Sequence, residues 1–257
     1  MMRTVGDVTV DVDADFVATV ELHRPPNNHF DIELIGSLAE AFEALDEEAG
    51  CRAILLCSEG RHFCAGADFS GRAGPISDSS RHLYDEAARL FATSTPVVAA
   101  VQGAAVGGGL GLAMAADFRV ASPEARFVAN FARLGFHHGF ALSVTLPAAV
   151  GQQRALELLL TGRRVPGEEA LRMGLCDRLV PADCLRDEAH SLAAEIAAGA
   201  PLAVRSIRET MRDGMAARVG KALDRERAEQ ERLRVTEDFT EGVRATAERR
   251  SPNFTGR

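Results

Sequence analysis

Residues 96–111 read PVVAAVQGAAVGGGLG. The apolar run over Pro96–Val101 predicts a buried strand, and Leu110–Ala116 predicts an apolar helix. Between them, the glycines at 107–109 have no side chain, so a ligand can approach the backbone closely. The first N–H groups of a helix lack intrahelical acceptors, and the positive end of the helix dipole lies beside them. The stretch therefore predicts a helix start that suits an anionic oxygen.

A second loop, GRHFCAGADF at 60–69, follows a short apolar strand that we predict over Ala53–Cys57. If both loops open on one pocket, one backbone N–H from each can hold a carbonyl oxygen as it becomes anionic. This arrangement stabilises enolates and tetrahedral intermediates. The two loops together predict an oxyanion hole that uses no side chain.

A nucleotide-binding loop also consists of a strand, a glycine turn and a helix, but the glycine spacing disfavours it. Gly107 and Gly109 are followed by Leu112, where the dinucleotide pattern GxGxxG needs a third glycine. Gly109 and Gly111 are likewise followed by Met114. The chain contains no GxxxxGKS or GxxxxGKT segment, so nucleotide binding is not expected.

Strands and helices alternate through most of the chain, a pattern typical of an α/β core with mainly parallel strands. The remaining predicted elements are a hairpin of Val8–Val12 and Phe16–Leu22, helices over Asp31–Ala49 and Arg81–Ala92 with Asp31 as a possible N-cap, and a strand over Phe118–Ala121. After Pro181 the periodicity is only helical, over Cys184–Ala198, Pro201–Arg212 and Met215 to about Arg250. We predict a core at 1–195 and a helical oligomerisation region at 196–257.

Composition excludes several classes of protein. The chain has 257 residues, 46% of them hydrophobic, which is enough for a sizeable core. Its net charge is -8, and no run of Lys and Arg is separate from acidic residues, so nucleic acid is not expected as a partner. No segment approaches the roughly 18 apolar residues of a membrane helix. Residues 1–16 also lack an apolar run behind a basic head, so we predict a cytoplasmic protein. The five cysteines show neither a CxxC pair nor zinc spacing, which predicts reduced thiols and no structural metal.

Several motifs resemble the crotonase (enoyl-CoA hydratase/isomerase) superfamily. FCAGAD at 63–68 and GAAVGGGLGLAMAADFRVAS at 103–122 are similar to its two signature segments. RP and NN within 24–28, LTGRRVPGEEALRMGLCDRLVP at 160–181 and RRSPNFTGR at 249–257 extend the resemblance along the chain. It implies a spiral of ββα repeats and a C-terminal helical region that packs homotrimers, often as hexamers. It also implies an acyl-CoA substrate bound between subunits and no separate cofactor, since coenzyme A is part of that substrate.

The resemblance implies specific site residues. The two oxyanion donors fall on the backbone N–H groups of Ala67 and Gly108. Coenzyme A contacts fall on Ala65, Gly66, Ala67, Asp68 and Phe69. Asp68 is expected mainly to order the turn through local hydrogen bonds.

The chain departs from the family's hydratases at two positions. They use two carboxylates to position water and move a proton, and these places hold Gly111 and Phe131. Other members carry an acid, base or nucleophile in the next turn, which reads LGFHHGF at 134–140. His138 is the candidate acid or base, because an unperturbed imidazole titrates near neutral pH. His137 and Phe131 are candidate substrate contacts, and a structural role for either histidine stays open.

Three hypotheses follow. The first is an enzyme that stabilises the enolate or oxyanion of an acyl-CoA, with chemistry other than standard hydration. The second is an acyl-CoA or lipid-binding protein without catalysis, and the third is a purely structural assembly protein. Phe131, Phe136 and Phe140 favour a hydrophobic or ring-bearing acyl group. Met211, Met215, Val219 and Ala222 share one helix face, which packs either on the chain's own core or on another subunit.

Overall fold

The structure, a computed structural model, describes residues 2–68 and 82–257. The strands are β1 (Arg3–Val5), β2 (Val8–Val12), β3 (Val17–Leu22), β4 (Ala53–Ser58), β5 (Val97–Val101), β6 (Ala104–Val106), β7 (Phe118–Ala121), β8 (Arg126–Val128), β9 (Arg164–Pro166) and β10 (Arg178–Leu179). The helices are α1 (Ile32–Asp46), α2 (Leu83–Ala92), α3 (Gly108–Ala115), α4 (Leu142–Val150), α5 (Gln152–Thr161), α6 (Gly167–Met173), α7 (Leu185–Ala197), α8 (Pro201–Met211), α9 (Met215–Arg234) and α10 (Glu237–Ala247). The predicted α/β class is confirmed.

The main sheet has the strand order β1-β2-β3-β4-β5-β7-β10. Its first three strands pair antiparallel, which includes the predicted hairpin, and the rest pair in parallel. A smaller sheet has the strand order β6-β8-β9, and its first strand, β6, leads into the glycine turn at 107–109. Its three-residue strands are too short for alternation to show in the sequence, so they were not predicted.

The central strands β4 and β5 are buried along their whole length, as parallel strands covered on both faces must be. Ile54 and Leu56 of β4 face the cluster that contains α1. Leu55 and Cys57 face α7, which closes the opposite side of the sheet. The core therefore holds the ends of β4 and β5 at a fixed spacing.

Helix boundaries follow local capping. Asp31 caps α1 as predicted, since its side chain accepts a hydrogen bond from the Leu34 N–H at 2.9 Å. The predicted long C-terminal helix is instead two helices, because Thr236 accepts a hydrogen bond from Phe239 N–H at 3.1 Å and starts α10. Helix α7 ends at Ala197 and α8 begins at Pro201.

All five cysteines are free thiols, and only Cys184 is exposed. In the described part of the chain, no helix is both long and apolar enough to cross a membrane.

Candidate active site

The two glycine loops leave the same edge of the main sheet. Strands β4 and β5 are parallel neighbours, with Ile54 opposite Val97 and Leu56 opposite Ala99. Carboxyl ends of parallel strands open on a common crevice, which is where ligands of open α/β sheets bind. The topology therefore brings together the segments that the sequence predicts as one site.

Backbone hydrogen bonds tie the loops directly to each other. Cys64 N–H donates to the Ala104 carbonyl at 2.9 Å, and Val106 N–H donates to the Cys64 carbonyl at 3.0 Å. Gly66 has a φ of 88°, and a Cβ atom there would lie 2.7 Å from the Val106 carbonyl oxygen. Glycine is required at 66, because any side chain would force the loops apart.

Ala67 and Gly108 line one cavity. Gly108 begins α3, so its N–H has no intrahelical acceptor, whereas Gly107 N–H is already bonded to the Val128 carbonyl at 2.8 Å. Ala67 is bridged to Phe30, whose N–H donates to the Gly66 carbonyl at 3.2 Å. Within residues 2–68 and 82–257, neither the Ala67 nor the Gly108 N–H donates a hydrogen bond.

Most of the predicted contact residues reach this cavity, whose volume is about 360 Å³. Those that line it are Ala65, Gly66, Ala67, Gly108 and Phe131. Asp68, His137 and His138 are described by the structure but do not line it. Phe69 lies outside the described residues.

Aromatic rings form much of the cavity wall. Phe30 and Phe140 have ring centroids 5.6 Å apart, and Phe131 and Phe136 are 5.5 Å apart. The Cζ atom of Phe131 lies 3.7 Å from the place that a Cβ on Gly107 would take. Phe131 therefore puts a hydrocarbon edge beside the glycine turn. No carboxylate is among the described residues that line the cavity.

Comparison with known proteins assigns this geometry to a family. The sequence profile of the family described as enoyl-CoA hydratase/isomerase matches residues 13–257. The chain belongs to the enoyl-CoA hydratase/isomerase family. The crotonase-type fold predicted from the two signature loops is thereby confirmed.

Relatives cover the chain almost end to end. A protein of Thermus thermophilus, itself assigned only provisionally as an enoyl-CoA hydratase, is 36% identical over 95% of this chain and 100% of its own. The carnitinyl-CoA dehydratase of Proteus mirabilis is 35% identical over 94% of this chain and 95% of its own. The crystal structure of an enoyl-CoA hydratase/isomerase from Pseudoalteromonas atlantica superposes with a TM-score of 0.89, at 31% identity over 97% of this chain and 100% of that one.

The polar side of the cavity in this family member comes from residues that sequence reasoning missed. The Tyr84 hydroxyl donates to Gln230 Oε1 at 2.9 Å, and Gln230 Nε2 donates to the His137 carbonyl at 2.9 Å. Burial raises the pKa of the Tyr84 phenol, so it keeps its proton. Tyr84 on α2 and Gln230 on α9 are 146 residues apart, and no local motif signals their pairing.

His138 points into a second polar network. Its Nε2 lies 2.8 Å from Ser143 Oγ, and the Ser143 hydroxyl donates to Glu226 Oε1 at 2.7 Å. Glu226 is fully buried and also accepts the N–H groups of Ala141 at 2.8 Å and Ser143 at 3.0 Å. Because the serine hydroxyl donates to Glu226, it accepts from His138 Nε2–H, which leaves His138 Nδ1 with its lone pair.

Burial sets the protonation of this network. Burial, and to a smaller extent the charge of His137, lowers the pKa of His138 to about 4. Burial also raises the pKa of Glu226, against hydrogen bonds from Ser143 and Ala141 that favour the carboxylate. His138 is therefore a neutral imidazole at pH 7. Glu226 lies in α9 with no sequence signal that connects it to the His138 turn.

Cys64 lies next to the loop residues Ala65 and Gly66 but lacks the properties of a nucleophile. Its side chain is fully buried, and burial raises its pKa to about 12. Thiolate is the reactive form, so this cysteine is inert near neutral pH.

Asn28 connects the segment at 24–28 to the loop at 60–69. Its side chain is buried and donates to the carbonyls of Glu59 at 2.8 Å and His62 at 2.6 Å. It also accepts the Arg24 N–H at 2.9 Å. The Nδ1 atom of His62 accepts the Ala104 N–H at 3.2 Å. Both side chains hold the loop that carries Ala67.

Proposed function

We propose that this protein is an acyl-CoA-processing enzyme that holds the thioester carbonyl oxygen between the backbone N–H groups of Ala67 and Gly108. One observation carries the proposal: Ala67 and Gly108 belong to different loops and line one cavity, and neither N–H group has an acceptor in the described chain. Preorganised donors of this kind stabilise charge that develops on oxygen, and losing one costs about 10²–10³ in rate.

We further propose that the chemistry differs from carboxylate-assisted hydration. The motif resemblance assigns the hydratase carboxylate positions to Gly111, which has no side chain, and Phe131, which is hydrocarbon. Neither can orient water or transfer a proton. Decarboxylation, hydrolysis and carbon–carbon bond cleavage or formation all use the same stabilised enolate or oxyanion.

His138 is the proposed proton-transfer residue. Its ring lies against Phe131 in an edge-on contact at 6.5 Å, and Phe131 lines the cavity. The hydrogen bond to Ser143 fixes the tautomer that leaves Nδ1 as an acceptor. Acting on substrate requires a bridging water or a rotation past Phe131, because His138 does not line the cavity.

A non-catalytic acyl-CoA-binding protein is the second candidate, and the carboxylate-free lining of the described cavity favours it. Incubation with crotonyl-, long 2-enoyl-, 3-hydroxy-, β-keto- and alicyclic acyl-CoA, with products identified by mass, separates the two. Turnover that His138→Gln abolishes and the surface control His190→Gln retains supports an enzyme that works through His138. Tight binding without turnover supports the binding protein, and failure of every thioester to bind overturns both.

A homotrimer or hexamer is the proposed assembly. Helix α8 buries none of its residues, and Leu202 and Met211 are 83% and 80% exposed. Val219 and Leu223, in contrast, pack into the chain's own core. An exposed apolar helix face is typical of a subunit contact. Light scattering should give a mass of three or six chains, and Leu202→Glu should shift it towards one.

A further inference from the structure

The cavity contains a guanidinium without an anionic partner. Arg234, in the last turn of α9, is half-buried and lines the cavity. Among residues 2–68 and 82–257 it forms no ion pair and no hydrogen bond. Its Cζ atom lies 6.0 Å from the centroid of the Phe136 ring. Arg119, which is also buried, pairs with Asp177 at 3.2 Å.

The groups around Arg234 make this side of the cavity polar. Gln230 lies one helical turn before Arg234, so both project from one face of α9. The Tyr84 hydroxyl is bonded to Gln230 and lies within the electrostatic reach of Arg234, which opposes the rise in the pKa of Tyr84. An anionic group here would meet one fixed charge and two neutral polar side chains.

Hydrocarbon separates this polar side from the oxyanion donors. Phe131 lies beside the glycine turn, its ring is 5.5 Å from Phe136, and Phe136 contacts Arg234. The cavity therefore offers N–H donors, then an aromatic wall, then a cation. An acyl chain with its thioester at Gly108 would pass Phe131 and Phe136 before its far end reaches Arg234.

We propose that Arg234 selects acyl-CoA thioesters whose acyl chain ends in a carboxylate. A guanidinium presents paired N–H donors that match a carboxylate, and burying either charge alone is costly. The inference rests on the proposed function, because it takes the thioester to lie at Ala67 and Gly108. The phosphates of coenzyme A are the other anionic groups that could pair with Arg234.

Matched thioesters test the proposal with the full-length protein. Dissociation constants are measured by calorimetry for adipoyl-CoA against hexanoyl-CoA, and for glutaryl-CoA against pentanoyl-CoA and suberoyl-CoA against octanoyl-CoA. We expect at least one carboxylated member to bind roughly ten-fold or more tightly than its methyl-ended partner. Arg234→Met should abolish the preference and leave binding of the methyl-ended ester unchanged. Arg234→Lys, which keeps the charge, should retain part of it.

Arg232→Met is the matched control, because Arg232 lies on the same helix turn and pairs with Glu229 at 2.7 Å. This variant should change the dissociation constant of neither the carboxylated nor the methyl-ended thioester. Equal affinity within every pair overturns the proposal. The proposal is also overturned if Arg234→Met weakens the binding of both members of a pair equally and does not weaken the binding of the corresponding dephospho-CoA esters. That result would assign Arg234 to the coenzyme phosphate. If hexanoyl-CoA binds wild type and Arg234→Met equally, the proposed function still holds. If no thioester binds, both the proposed function and the role of Arg234 are contradicted.

Discussion

A side chain at Gly111 would run into Phe140: its Cβ would lie 2.8 Å from Phe140 Cγ and closer still to Phe140 Cβ. Phe140 and Ala141 both adopt a left-handed backbone with a φ of 59°. The Ala141 N–H donates to buried Glu226 at 2.8 Å, which helps hold this unfavourable conformation. Gly111, Phe140 and Glu226 therefore form one packed unit that fills the space beside the first turn of α3.

Substituting Gly111 by alanine should destabilise the protein. The added methyl would have to displace Phe140, and such overpacking costs about 1–3 kcal/mol. Urea denaturation measures the loss of unfolding free energy. Gly220→Ala in α9 is the matched control: nothing lies within 4 Å of its added Cβ, so it should gain about 0.5–1 kcal/mol from helix propensity. Equal effects at the two glycines would contradict the packing described for Phe140.

Removing the Glu226 carboxylate should destabilise the turn at 139–143. Glu226→Gln replaces one acceptor oxygen with an NH₂ group that faces donors from Ala141 and Ser143. Each buried donor left unpaired costs about 1–3 kcal/mol. Denaturation should show that loss, whereas Glu231→Gln, which breaks an exposed pair with Arg227, should change stability by less than about 0.5 kcal/mol. An unchanged free energy of unfolding in Glu226→Gln would contradict this interpretation.

Protonation of His138 should make stability depend on pH in a defined window. Its folded pKa of about 4 lies below the ordinary value of 6.5, so the unfolded chain binds more protons between these values. The unfolding free energy contributed by this residue therefore falls as pH decreases from 6.5 towards 4. Burial also lowers the pKa of His62 and His82, so the difference between wild type and His138→Gln isolates the effect. NMR titration of His138 near 6.5 would contradict the buried position.

Thiol labelling should separate the exposed cysteine from the one at the site. Cys184 is exposed and should react first with iodoacetamide, at a rate that rises with pH as its thiolate forms. Because neighbouring Asp183 raises its pKa, this increase should occur at higher pH than for an ordinary thiol. Cys64 should stay unlabelled in the native protein and react after urea denaturation. Peptide masses identify the labelled residue. Native labelling of Cys64 would show that the loop at 60–69 opens.

Local sequence signals were sufficient for the elements that place the loops. Asp31 marked the start of α1, and the glycines at 107–109 marked the start of α3, although α3 begins at Gly108 rather than at Leu110. Ala67 and Gly108 could be nominated because both lie in motifs, and both line the same cavity.

The rest of the site depends on tertiary packing. Tyr84, Glu226 and Arg234 reach it from helices distant in the chain, so no spacing or periodicity relates them to the loops. The direction of the His138 side chain depends on Ser143 and on that distant Glu226. A sequence pattern can nominate such a histidine, but it cannot give the direction of its ring.

The most direct test is the infrared carbonyl frequency of hexanoyl-CoA labelled with carbon-13 at the thioester and bound to the full-length protein. We expect a shift to lower frequency than in free aqueous hexanoyl-CoA, because the Ala67 and Gly108 N–H groups polarise the carbonyl. Replacing the Ala67 amide by an ester, which removes only that N–H, should reduce the shift. A bound thioester with the frequency of the free ligand, unchanged by the ester replacement, would contradict an oxyanion hole at these residues.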